Sequence, residues 1–169
     1  MDVVTAVTRG SERAPDNPDA FADWVRPHLP AMARLAARLA PPGDRDDVVQ
    51  EALTRAWRKR HQFDAGRGTP SAWLLAIAAD QARRARRRKP VAWLSPEAVG
   101  RSRSMDDRLD VESAVARLAP RQRLVVDCFY FVGLSVAETA AVMDCSEGTV
   151  KSTLSDARAR LRTLLEIRE

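Results

Sequence analysis

Short polar and basic side chains gather in two places where they could meet an anionic surface. The first is MDCSEGTVKSTLSDARARLR, residues 143–162. As a helix it carries Glu147, Thr149, Lys151, Ser152, Thr153 and Ser155 on one side, followed by Arg158, Arg160 and Arg162. Ser146 stands just before it, where its hydroxyl can cap the helix. Short side chains near a helix N-terminus let that helix sit deep in a major groove, and hydroxyls can exchange hydrogen bonds with base edges and phosphates. The N-terminus itself favours a phosphate. On spacing alone, an amphipathic hairpin with a solvated face reads the same way, its arginines complementing the helix C-terminus.

The second place is ARRARRRK, residues 82–89, with Arg83, Arg84, Arg86, Arg87, Arg88 and Lys89 at the end of a patterned helix. Arginines there could follow a nucleic-acid backbone while a neighbouring pocket holds a base. A solvated basic helix end is the alternative. A different polar face, Asp47, Gln50, Glu51, Thr54 and Arg55, lies opposite Val49, Leu53 and Trp57. It suits a basic helical partner through charge-assisted hydrogen bonds; Asp46 and Asp47 could also simply complement their helix N-terminus. Catalytic signatures are missing. His28 and His61 are isolated, no glycine-rich phosphate loop occurs, and no nucleophile–base pair is recognisable, so no enzyme is expected. Cys128 and Cys145 form no metal-ligand pattern and read as small core residues; no metal and no cofactor are expected.

Charge supports an anionic partner without identifying it. The 169 residues hold 28 Lys and Arg against 23 Asp and Glu, a net +5. The excess is confined to residues 1–90, with 17 basic and 11 acidic groups; the remainder holds 11 and 12. Any DNA contact by the second half must therefore depend on where its charges point. There is no apolar run of about 20 residues to span a membrane and no secretory signal core, so the cytoplasm is the expected location.

Helical periodicity organises the chain, and the fold class read from it is all-α. Residues 1–16 are polar and mixed, and read as loose. From Asn17 the stripe Phe21, Trp24, Val25, Met32, Leu35, Ala36 and Leu39 predicts two helical pieces, interrupted by Pro27 and Pro30. PPGD breaks the chain, a helix then runs to about Lys59, and FDAGRG is a loop. Thr69 and Pro70 start a helix with Trp73, Leu74, Ile77 and Ala78, which Pro90 closes. Both Trp57 and Trp73 are assigned to the core. Residues 91–105 read as a flexible linker. Thus two small helical domains are expected, 17–90 and 106–169.

The second unit opens with Leu109, Val111, Val115 and Leu118. Another helix follows from Pro120, carrying Leu124, Val125, Cys128, Phe129 and Val132, and Gly133 ends it. SVAE, 135–138, is a capping box. A short helix to Met143, a turn at Asp144 and a long helix striped with Val150, Leu154, Ala157, Leu161 and Leu164 make a helix-turn-helix. Ala140 is small where the two helices must approach.

LAPRQRLVVDCFYFVGLSVAETAAVMDCSEGTVKSTLSDARARLRTLL resembles region four of the bacterial extracytoplasmic-function sigma factors, and DRDDVVQEALTRAWRKRHQFDAGRGTPSAWLLAIAADQARRARRRKP resembles their region two. The resemblance covers all but about the first 16 residues. It implies a subunit that binds core RNA polymerase, reads and melts the −10 element of promoter DNA, and reads the −35 element as duplex. An anti-sigma protein is a further partner it implies. Asp47, Gln50, Glu51, Thr54 and Arg55 would meet the polymerase. Arg67, Asp80 and the 83–89 basic run would meet the −10 strand. Ser146, Glu147, Thr149, Lys151, Ser152, Thr153, Ser155 and Arg158 would meet the −35 element. Asp80 departs from the family's usual asparagine, and Thr153 and Asp156 replace basic positions. The rival reading is a free-standing helix-turn-helix regulator that binds DNA without polymerase.

Overall fold

The computed structural model describes residues 13–88 and 103–166. Lys89, Pro90, most of the expected linker and the side chain of Leu109 lie outside them. Four helices build the first unit: α1 Pro18–Val25, α2 Leu29–Leu39, α3 Arg45–Lys59 and α4 Pro70–Arg88. Four build the second: α5 Arg103–Ala116, α6 Pro120–Val126, α7 Val136–Met143 and α8 Glu147–Glu166. Helix α5 begins inside the stretch read as linker. Among the described residues no strand occurs, and no helix is long and apolar enough to cross a membrane.

Local chemistry fixes most boundaries. Asn17 caps α1 by accepting from the N–H groups of Asp19 and Ala20, with Pro18 at the first helical position. Pro27 and Pro30 do not separate α1 from α2 widely; one 3₁₀ turn, Arg26–His28, joins them. The hydroxyl of Thr69 accepts from the Ala72 N–H at the start of α4. Helix α6 widens into a π turn, Asp127–Val132, which ends at Gly133 with φ 79°.

The first core is aromatic at one end and fine-grained at the other. Phe21, Trp24, Trp57, Phe63 and Trp73 pack ring against ring, Phe21 on Trp57 at 5.2 Å and Phe63 on Trp73 at 5.6 Å. Helix α3 meets this core through Val48, Ala52 and Ala56, one residue away from the expected column; Val49, Leu53 and Trp57 pack beside them, partly buried. Val111 is exposed where α5 was expected to bury it, while Ala114, Val115 and Leu118 are buried. Residues 13–16, part of the segment expected to be loose, lie against the first unit: Ala14 is buried and Asp16 accepts from Arg60 at 3.1 Å.

The two units are packed together. Cys128, Val132, Leu134 and Val142 are buried in the same cluster as the first unit's core, with α7 lying along α4. Polar contacts ring this seam. Arg34 donates to the carbonyl of Val132 (3.1 Å) and Arg83 to that of Val142 (3.1 Å). The Ser71 hydroxyl donates to Glu138. Arg38 reaches three ways: Nε to Asp127 (2.6 Å), the two terminal nitrogens to Glu112 (2.9 and 3.0 Å), and its plane over the Phe131 ring (3.9 Å). One guanidinium thus serves two carboxylates. Burial pushes the Asp127 carboxyl above its ordinary range, and Arg38 offsets only part of that.

Burial also lowers the pKa of His28, with Glu138 opposing. Glu138 itself is held below the usual carboxylate range: burial would raise it, but the bonds from Ser71 and Ser135 outweigh that. Both shifts favour the deprotonated form in the fold, so acid removes their contribution, below about pH 6.5 for His28. Asp127 has the opposite sign, its folded form binding the proton more tightly, so its part of the stability falls as pH rises past the ordinary carboxylate range. Thermal melts should therefore show His28→Gln losing less Tm than the parent between pH 7 and pH 5.5; identical slopes would remove His28 from this account. At Gly133 an added Cβ meets nothing within 4 Å, so Gly133→Ala tests backbone strain alone. Denaturant unfolding should show a loss of about 1–2 kcal/mol.

Candidate polymerase and nucleic-acid interfaces

Asp47, Gln50, Glu51 and Thr54 are all exposed on one face of α3. With Asp44 they form one wall of a groove of about 430 Å³, whose other wall is Gln81, Arg84, Ala85 and Arg88 of α4. The i, i+3, i+4, i+7 spacing puts these α3 side chains in one row. Arg55 is partly buried and does not line the groove. The groove offers carboxylates on one side and guanidinium groups on the other, so it suits a partner helix carrying both signs.

A second cavity, about 540 Å³, opens between the 62–68 loop and the start of α4. Phe63, Ala72, Trp73 and Ala76 give it apolar walls, and Gln62, Asp64 and Arg67 a polar rim. The aromatic core holds it open from behind, since Phe63 and Trp73 belong to both. Trp73 is therefore a core residue and a cavity wall at once. Asp64 shapes the loop by accepting from the Gly66 N–H at 2.9 Å.

The basic run divides between surfaces. Arg83 turns to the second unit, bonding Val142. Arg84 and Arg88 turn to the α3 groove. Arg86 and Arg87 are exposed. Asp80 does not line the cavity; it accepts from Arg84 at 2.9 Å, one helical turn on. Its charge is thus partly met on its own helix. Lys89 lies outside the described residues.

In the second unit the helix-turn-helix is built by short-range hydrogen bonds. The Ser135 hydroxyl accepts from the Glu138 N–H while Glu138 accepts from the Ser135 N–H, closing the capping box. Asp144 takes the left-handed conformation at φ 51°, and buried Ala140 accepts from the Cys145 N–H across the turn. The Ser146 hydroxyl accepts from the Thr149 N–H at 3.1 Å and lies 2.9 Å from its hydroxyl. Behind this face Val150, Leu154, Ala157 and Leu164 are buried and Leu161 partly so.

The outward residues differ in what they can still offer. The hydroxyls of Ser152 and Thr153 donate to the Thr149 carbonyl at 3.1 and 2.7 Å, which leaves them as acceptors. Arg158 bonds the Tyr130 hydroxyl at 2.6 Å. Glu147, Lys151 and Ser155 are exposed. Lys151 stands one turn into α8.

Sequence reasoning did not place Arg84 and Arg88 opposite the α3 carboxylates, and it missed Ala141, which closes one side of the cavity from α7. Ala141 had no signal, because nothing local says which unit an alanine on α7 faces.

The family pattern "Sigma-70 region 2" matches residues 24–90 and that of "Sigma-70, region 4" matches residues 108–161. An RNA polymerase sigma-E factor of Streptomyces avermitilis is 36% identical over 156 residues, covering 88% of this chain and 87% of the relative. The ECF RNA polymerase sigma factor SigL of Mycobacterium tuberculosis is 34% identical over 152 residues, covering 82% and 85%. Among solved structures, CnrH in complex with the cytosolic domain of CnrY matches with a TM-score of 0.66 at 30% identity, over 90% of this chain and 92% of that one. The sigma factor RpoE in complex with the anti-sigma factor NepR from Bartonella quintana matches at 0.59 and 28%, over 88% and 98%. With both region patterns in this order and relatives similar along nearly the whole length, the chain belongs to the extracytoplasmic-function sigma factors of the sigma-70 family.

Proposed function

We propose that this chain binds core RNA polymerase and directs initiation at promoters whose −10 and −35 elements it reads. The cavity beside α4 carries this reading. An apolar slot with a polar rim and a nearby arginine suits an unstacked base, whose extraction from the duplex costs a few kcal/mol. Arg67 on the rim, with Arg86 and Arg87 further along α4, would hold the strand's phosphates. Asp47, Gln50, Glu51 and Thr54 would meet the polymerase, and the groove extends that contact to Arg84 and Arg88.

The −35 element would be met by the start of α8. Ser146 positions that helix more than it contacts DNA, since its hydroxyl is engaged at the cap. Thr149, Ser152 and Thr153 present acceptors, Ser155 a hydroxyl, and Lys151 a charge. Glu147 beside them disfavours phosphate and suits a base-edge donor. Arg158 holds the Tyr130 hydroxyl through Nε, which leaves its terminal nitrogens for DNA. The chain's likeness to RpoE, solved with the anti-sigma factor NepR, supports an anti-sigma protein as a further partner. The cytoplasm, where polymerase acts, is the proposed location, and the role is one of specificity rather than catalysis.

Run-off transcription with core polymerase over a promoter library tests this. Start sites should appear only when the protein is added. Fragment shifts by the protein alone, with no transcript, would instead support a free-standing regulator. Glu51→Arg should weaken core binding at least tenfold while leaving stability within about 0.5 kcal/mol, as expected of an exposed position; unchanged binding would move the polymerase contact off α3. For Lys151→Ala, binding should fall about equally on all −35 sequences, and the salt slope of holoenzyme–promoter binding should drop by about 1.

A further inference from the structure

We propose, resting on the −35 reading given to α8, that Tyr130 is a positioning residue. It holds the Arg158 guanidinium so that its two terminal nitrogens meet one phosphate at the edge of the −35 groove. The pair closes across 28 positions of the chain: Arg158 Nε donates to the Tyr130 hydroxyl at 2.6 Å. The guanidinium carbon stands 5.7 Å from the centre of the Tyr130 ring.

Placement along α8 decides what this arginine can touch. Lys151, Ser155 and Arg158 are spaced i, i+4, i+7 and all are exposed, so they form one row. A helix of this motif meets base edges with its N-terminal residues. Arg158 lies about three turns beyond Glu147, about 16 Å along the axis. The major groove is only about 12 Å wide. An arginine that far from the inserted end stands over the backbone at the rim, not over a base edge.

The fork then decides how the phosphate is met. A guanidinium binds an anion side-on, through Nε and one terminal nitrogen, or end-on, through both terminal nitrogens. Tyr130 takes Nε, so the end-on pair is what remains. No other hydrogen-bond acceptor holds Arg158 among the described residues. Arg83 and Arg84, by contrast, are engaged by the Val142 carbonyl and by Asp80.

The tyrosine is itself anchored. Its ring meets Phe129 edge-on at 5.2 Å, and Phe129 packs against the buried cluster of the second unit. Both rings sit on the π turn Asp127–Val132, a local widening that recurs at functional sites. Yet Tyr130 is 52% exposed, so the core gains little from it. Holding a long side chain in advance reduces the entropy lost on binding. That counts for more in this chain, because Glu147 and Asp156 lie on the same helix and repel phosphate. Attraction there depends on a few well-aimed cations.

Two measurements test the pair. Tyr130 is the chain's single tyrosine, so ring-labelled tyrosine gives the full chain one NMR signal. That signal should shift on Arg158→Lys, which keeps the charge and removes the fork; an unmoved signal would overturn the pairing. The second is binding of the holoenzyme to the promoter that run-off transcription identifies. Tyr130→Phe keeps the ring and should weaken binding about threefold, with Tm unchanged. Arg158→Lys should weaken it at least as much, and adding Tyr130→Phe to that variant should cost nothing more. A further loss in the double variant would mean that the tyrosine acts by another route. A gain in affinity for Tyr130→Phe would mean that it withholds the arginine from DNA. Either result overturns the positioning. Parental binding by both single variants overturns it as well, and Lys151→Ala then separates it from the −35 reading. A lowered salt slope for Lys151→Ala leaves that reading standing; an unchanged slope removes both.

Discussion

The structure depends on one helix meeting three others. Helix α4 packs against α2 and α3 within its own unit and against α7 of the other. Its buried positions are Ala72, Leu74 and Leu75, then Ala78, Ala79, Gln81, Ala82 and Ala85. Small alanines let neighbouring helices approach where larger side chains would force them apart. The C-terminal part of α4 carries a fringe of arginines, and their neighbours decide what each one does. The same helix is thus core, cavity wall and binding surface.

That economy explains why the aromatic cluster and the cavity are inseparable. Phe63 and Trp73 touch at 5.6 Å and Trp24 lies 5.3 Å from Phe63, so the cavity wall is as rigid as the core behind it. For the proposed base-holding role, a wall that does not have to be ordered on binding is an advantage. The α3 groove is different in kind. Its walls carry carboxylates from α3 and arginines from α4, suited to a partner that brings its own shape.

Much of this was legible because it is local. Caps at Asn17, Thr69 and Ser146, the box at Ser135 and Glu138, and the left-handed Asp144 depend on residues within four positions of one another, and the sequence prints them together. The buried column on α3 lies one residue before the expected one, with the small Ala52 and Ala56 deeper than the bulky Leu53 and Trp57. At a close helix crossing, small residues sit deepest. The seam between units was not legible. Arg34, Arg38 and Ser71 find partners between 67 and 98 residues away, and no periodicity encodes that. The chain therefore read as two readers on a tether, whereas the structure holds them side by side.

The measurement that tests this picture most directly is the distance between a label on α3 and one on α8 in the full chain, first free and then bound to core polymerase on its promoter. A short distance in the free protein that lengthens by tens of ångströms in the transcribing complex is the predicted result. A distance that stays the same while transcripts form would contradict it, because both promoter elements would then be read, or one ignored, without the two units parting.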